Sequence, residues 1–180
     1  VQTDPDVAMA GDGRFVVVWQ SDDGDAAGVF AQRFAANGAP QGGEFRVNTT
    51  TYLFQDQPSV GMAADGSFVV AWTSDQNNIG GDISTWTFDD IYAQRYAADG
   101  TPRGGEFTTN TFRSNNQSSP IVAVAADGRF AIAWYHQSGA SPLAVHAQRY
   151  AAGGTPEGGE FRVNTYTTSS QVIPAVAVDA

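Results

Sequence analysis

The chain has 180 residues, 42% hydrophobic and 12% aromatic, which is enough apolar material for one domain-sized core and too much for a disordered chain. Nineteen acidic residues face nine arginines and no lysine, for a net charge of −10, and this argues against nucleic acid or an anionic membrane as partner, because phosphate binding needs clustered cations. There is no cysteine, so disulfides, thiolate metal sites and a cysteine nucleophile are excluded, and no segment reads as a membrane span or a targeting peptide.

The first element is "DVAMA", residues 6–10, a short apolar run that ends in Asp12-Gly13. An Asp-Gly pair between apolar runs marks a tight hairpin, since a two-residue primed turn needs positive φ at both central positions. The second strand, "RFVVVW" (14–19), is apolar on both faces, Phe15, Val17 and Trp19 on one and Val16 and Val18 on the other. Apolarity on both faces predicts a sheet buried between two others. A variable loop follows, then "VFAQRFA" (29–35) and "EFRVN" (44–48), joined through "ANGAPQGG", complete a four-stranded antiparallel unit.

The same order returns twice. "SVGMAA", Asp65-Gly66 and "SFVVAW" open a second unit, and "IVAVAA", Asp127-Gly128 and "RFAIAW" a third. The hairpin sentence "AQRFAANGAPQGGEF" (31–45) recurs as "AQRYAADGTPRGGEF" (93–107) and "AQRYAAGGTPEGGEF" (147–161). Gln2, Gln55, Gln117 and Gln171 each stand three residues before a proline, and successive prolines are 53, 62 and 54 residues apart. The repeat divides the chain into units 1–56, 57–118 and 119–171, with 172–180 as the first strand of a further unit. Tandem four-stranded units buried on both faces predict an all-β, β-propeller-like fold. A chain that opens within a repeat is expected of a piece cut from a longer array, and its remaining surfaces would take further copies of the repeat or a homo-oligomeric partner.

The order "P-x-V-A-x-A-x-D-G-x-F-V-V-x-W", a loop, a third strand and a glycine-bearing hairpin resembles the blades of sialidase-type, Asp-box propellers. The hairpin glycines align (Gly38, Gly100, Gly154), whereas Ala35, Ala97 and Ala151 stand where that motif has its aspartate. The repeat is also similar to tandem segments of large secreted bacterial surface proteins, often found beside calcium-binding repeats-in-toxin arrays. These resemblances imply a secreted or cell-surface protein with a role in adhesion, assembly or glycan binding, or else part of a sialidase or glycosidase whose catalytic residues lie outside this chain. A structural repeat of a filament or surface layer is the third reading.

Three groups of residues are candidates for chemistry. Arg33 and Glu44, Arg95 and Glu106, and Arg149 and Glu160 lie eleven apart, a spacing that predicts ion pairs across each hairpin. The doubled glycines before the last strand predict a bulge. The unrepeated loop between strands two and three offers Asp22, Asp23 and Asp25 in unit one and Asp82, Asp89 and Asp90 in unit two, closely spaced oxygens of the kind that collect Ca2+. Trp86 and Phe88 in that loop, with Tyr135 and His136 in unit three, form the candidate ligand patch. No Ser-His-Asp set or phosphate loop can be assembled, so the chain is expected to be non-catalytic.

Overall fold

The computed structural model describes residues 1–22, 26–76, 88–113, 115–137, 143–166, 168–171 and 175–177. Among these there is no helix, and hence none able to cross a membrane. Twelve strands form three antiparallel sheets in tandem. The first holds β1 (Gln2–Met9), β2 (Phe15–Asp22), β3 (Ala27–Phe34) and β4 (Phe45–Arg46), in that order. The second holds β5 (Gln55–Met62), β6 (Phe68–Ser74), β7 (Asp90–Tyr96) and β8 (Phe107–Thr108). The third holds β9 (Gln117–Val124), β10 (Phe130–His136), β11 (Ala144–Tyr150) and β12 (Phe161–Arg162). This is the all-β, propeller-type arrangement that the repeat predicts.

The sheets stack face to face, because each second strand carries apolar residues on both sides. Val16, Val18, Val29 and Ala31 of the first sheet pack on Phe68, Val70 and Trp72 of the second. Val69, Ala71, Ile91 and Ala93, the opposite face of that second sheet, pack on Phe130, Ile132 and Trp134 of the third. Strand β6 is accordingly buried at every position. The repeated tryptophans are core residues in the inner sheets: Trp72 Nε1 donates to Gln55 Oε1 and Trp134 Nε1 to Gln117 Oε1, both at 3.0 Å. Trp19 lies on the first sheet's outward face and is only half-buried.

The repeated hairpin explains its own spelling. Phe34 bridges Pro40 while Ala31 pairs with Phe45, so three steps along β3 match five along the returning chain. The two surplus residues are Gly42 and Gly43, with Gly42 at φ +79, which is the predicted bulge. Gln32 holds it closed, its Nε2 donating to Arg33 O at 2.9 Å and Gly42 O at 3.3 Å, and Gln94 and Gln148 do the same in the other units.

The bulge also corrects the expected Arg–Glu pairs. It moves Glu44 out of register with Arg33, and the charged groups reach to neighbouring sheets instead. Arg33 Nη1 donates to Ala98 O at 2.9 Å and Arg95 Nη1 to Ala152 O at 3.0 Å, each into the next unit's turn. In the reverse direction Glu106 Oε2 accepts from Thr49 N at 2.9 Å, and Glu160 Oε2 accepts from Thr111 N and Oγ1, both at 2.7 Å. A charged residue spent on a partner's backbone N–H or C=O satisfies a group that the packed sheets would otherwise strand.

Candidate binding site at the inner strands

The first strand of each sheet carries an X-Pro pair, Asp4-Pro5, Gln57-Pro58 and Ser119-Pro120. Proline cannot donate to the ladder, so the pairing with the second strand slips there: between Thr3 and Asp6, between Asp56 and Ser59, and opposite Ala133 and Tyr135. The residue before each proline is left-handed, with φ of +49 at Asp4, +51 at Gln57 and +53 at Ser119. Such backbone costs about 1–3 kcal/mol per residue and persists where the surroundings over-determine it.

The three bulges line one hollow of about 750 Å³, bordered by Asp4, Asp6, Gln57, Ser59, Ser119, Tyr135, the three prolines and Ile121. Most of its polar atoms tie one inner strand to the next. Asp6 Oδ2 accepts from Ser59 Oγ and Val60 N, both at 2.9 Å, and Ser59 Oγ accepts from Val122 N at 3.2 Å. Gln57 Oε1 accepts from Ser119 N at 2.9 Å and from Thr73 Oγ1 at 3.0 Å. Among the described residues, the Asp4 carboxylate and the Tyr135 hydroxyl make no hydrogen bond and border the hollow. With the amide nitrogen of Gln57, whose Oε1 alone is engaged, they are side-chain polar groups left over for a ligand.

Carboxylates gather beside this hollow. Burial, and then the charges of Asp89, Asp75 and Asp4, push Asp56 up to about 6. Asp75 also rises to about 6, chiefly through burial, and one of its carboxylate oxygens is buried without a hydrogen-bond partner. Asp89 is raised by burial and by Asp90. Because β2, β6 and β10 end next to where β1, β5 and β9 begin, the hollow lies toward that end of the stack. The repeated hairpins lie at the other.

The expected ligand patch is distributed differently. Tyr135 borders the hollow, but His136, one step along an alternating strand, turns to the interface with the second sheet, where its Nδ1 lies 2.9 Å from Gln117 Oε1 and its ring 4.7 Å from that of His146. Phe88 is half-buried just before β7, and Trp86 lies outside the described residues. Of the expected cation ligands, Asp23, Asp25 and Asp82 also lie outside them. Asp22 is exposed at the end of β2, and Asp90 is buried, with Oδ1 taken by Asn110 Nδ2 at 2.5 Å and Oδ2 3.9 Å from Arg113 Nη1. Among the described residues no three metal-ligating side chains come together.

A second polar group sits between the second and third sheets. His146 Nδ1 lies 2.8 Å from Glu160 Oε1, with both side chains largely buried. Burial works to raise the Glu160 carboxyl, but hydrogen bonds from His146, Thr111 and Phe112 outweigh it and hold it at about 2. Every acceptor of this glutamate is spent on scaffold, which makes it a fastener. Sequence reasoning used the Gln-x-x-Pro positions only as landmarks of the repeat and missed that the same prolines open the hollow.

No protein-family profile matches the chain, and no curated protein matches it in sequence. Solved structures share its fold. A Hadza microbial sialidase superposes with a TM-score of 0.58 at 11% identity over 86% of this chain and 36% of that one. A family 117 glycoside hydrolase from the marine bacterium Zobellia galactanivorans gives 0.57 at 9% identity, covering 93% and 57%. An N-acetylgalactosamine deacetylase from F. plautii gives 0.57 at 11% identity, covering 96% and 54%. The chain therefore spans between about a third and just over half the length of these neighbours.

Proposed function

We propose that the chain is the glycan-binding part of a bacterial propeller protein placed outside the cell, and that it holds its ligand at the inner-strand hollow without cleaving it. The observation that carries this reading is the hollow itself. Its volume suits a small ligand of a few rings, its prolines offer flat apolar surface to a sugar ring, and Asp4 and Tyr135 are uncommitted hydroxyl partners. The carbohydrate enzymes among the structural neighbours are consistent with it. A lysine-free, cysteine-free acidic chain suits the same placement. A glycan array probed with the intact chain tests the proposal: retention of at least one glycan, lost in Asp4→Ala and Tyr135→Ala, supports it. Silence on the array, or retention that both variants keep, removes it.

One observation favours hydrolysis as a second reading. Glycosidases work with paired carboxyl groups, and burial raises Asp56 and Asp75 to about 6 side by side, with Asp89 raised next to them. Release of chromophore from aryl glycosides, abolished by Asp56→Asn, would establish this reading over simple binding.

A further inference from the structure

The chain has two histidines, and the fold puts them together. His146 stands opposite Trp134 in the β10–β11 pairing and His136 is two residues on from Trp134, so both side chains leave the same face of the third sheet. Their ring centres are 4.7 Å apart. The same two positions hold Ser21 and Phe30 in the first sheet and Ser74 and Tyr92 in the second, which makes the pair a feature of one unit and not of the repeat.

Hydrogen bonds fix which nitrogen of each ring carries the proton. Gln117 Oε1 accepts from Trp134 Nε1 at 3.0 Å, and since an oxygen cannot donate, His136 Nδ1, 2.9 Å from the same atom, is a donor too. His146 Nδ1 lies 2.8 Å from Glu160 Oε1, and the other oxygen of this carboxylate accepts from Thr111 N and Oγ1, so His146 Nδ1 also donates. In the neutral rings both lone pairs therefore sit on Nε2. Neither Nε2 has a hydrogen-bond partner among the described residues, and neither is a buried orphan. An Nδ1–H donated to a carboxylate or amide oxygen is how metal-binding imidazoles are held in proteins.

We propose that His136 and His146 bind one zinc-class divalent cation through their two Nε2 atoms. A metal about 2.0–2.1 Å from an imidazole nitrogen lies roughly 3 Å from the ring centre, so two rings on one ion have centres about 4.5–5 Å apart at angles of roughly 90–110°. The observed spacing falls in that range. Waters complete the coordination, because among the described residues no third ligating side chain joins the pair. The donors are nitrogen, and Arg162 stands across from His146 with its positive charge, so calcium and magnesium, which need oxygen ligands, are refused. Phe112 packs against both rings, 6.0 Å from His136 and 6.1 Å from His146, and shields one side of the site. The site is independent of the ligand hollow, which Tyr135 borders from the opposite face of β10.

Zinc titrated calorimetrically into the intact chain at about pH 7.5, where neutral imidazole predominates, tests this. One ion per chain is expected. His136→Asn and His146→Asn keep a donor near the Nδ1 position and remove Nε2, so each should fold with an unchanged circular dichroism spectrum and bind zinc about tenfold or more weakly. In the intact chain the imidazole proton resonances of both histidines should shift together as zinc is added and stay in place with magnesium, a readout that holds even where a variant fails to fold. No heat up to about 1 mM zinc, undiminished affinity in either folded variant, or movement of only one histidine's resonances would overturn the proposal.

Discussion

Gly154 meets two demands at one position, since it has φ +86 and lies under the Arg95 side chain. Gly38 meets only the first, at φ +81 with open space beyond. Alanine at Gly38 should therefore cost about 1 kcal/mol of backbone strain, and alanine at Gly154 on the order of 1–3 kcal/mol more, as the arginine is displaced from its carbonyl. Urea denaturation of the two variants checks the difference, and equal losses would contradict the fastening role of Arg95. The eleven-residue spacing made these arginines visible in sequence and misdirected them, because two glycines in the bulge shift the register and spacing cannot show a neighbouring sheet.

The titrating groups give the residue scale a second consequence. Asp56 and Asp75 have raised pKa values in the folded chain, so their contribution to stability is full below the ordinary carboxylate range near 3.8 and is lost as pH rises through about 6. Glu160 is depressed, so its contribution is present above about 4.5 and is lost as pH falls toward 2. Melting temperature should thus rise as pH drops from 7 to 5 and fall again below about 4. Asp56→Asn should flatten the upper slope and leave the lower one, which thermal scans across pH would show.

At the scale of the element, the inner strands trade regular pairing for an open hollow. Asp4, Gln57 and Ser119 hold left-handed backbone before proline, where a glycine would be relaxed. Asp4→Gly should raise stability by up to ~1 kcal/mol while weakening ligand binding, because the strain is relieved and the free carboxylate is lost with it. Denaturation and binding measured on the same preparation check both signs. The strands, hairpins and bulge were legible from Asp-Gly pairs, alternation and doubled glycines, but the Asp-Gly turns are not the expected two-residue primed type, since Gly13, Gly66 and Gly128 are left-handed and the aspartates before them are not. The hollow was not, since a proline that looks like a boundary marker says nothing of where three such markers meet in space.

For the molecule as a whole, stacking decides which repeated residues matter most. Trp72 is fully buried between two sheets and hydrogen-bonded to Gln55, while Trp19 holds the same strand position on an open face. Truncation to alanine should cost about 3–5 kcal/mol at Trp72 and clearly less at Trp19. Period and two-sided apolarity made that stacking readable in advance. What they could not show was that the charged repeats fasten sheet to sheet, or that Tyr135 and His136, adjacent in sequence, serve opposite faces.

The most direct measurement is calorimetric titration of an array-selected glycan into the intact chain and into Asp4→Ala and Tyr135→Ala. The account expects saturable heat for the intact chain and a Kd raised about tenfold or more by each substitution, the loss of one good polar contact being worth on the order of 1.4 kcal/mol. An unchanged Kd in both variants would place the ligand elsewhere and contradict the assignment of the hollow.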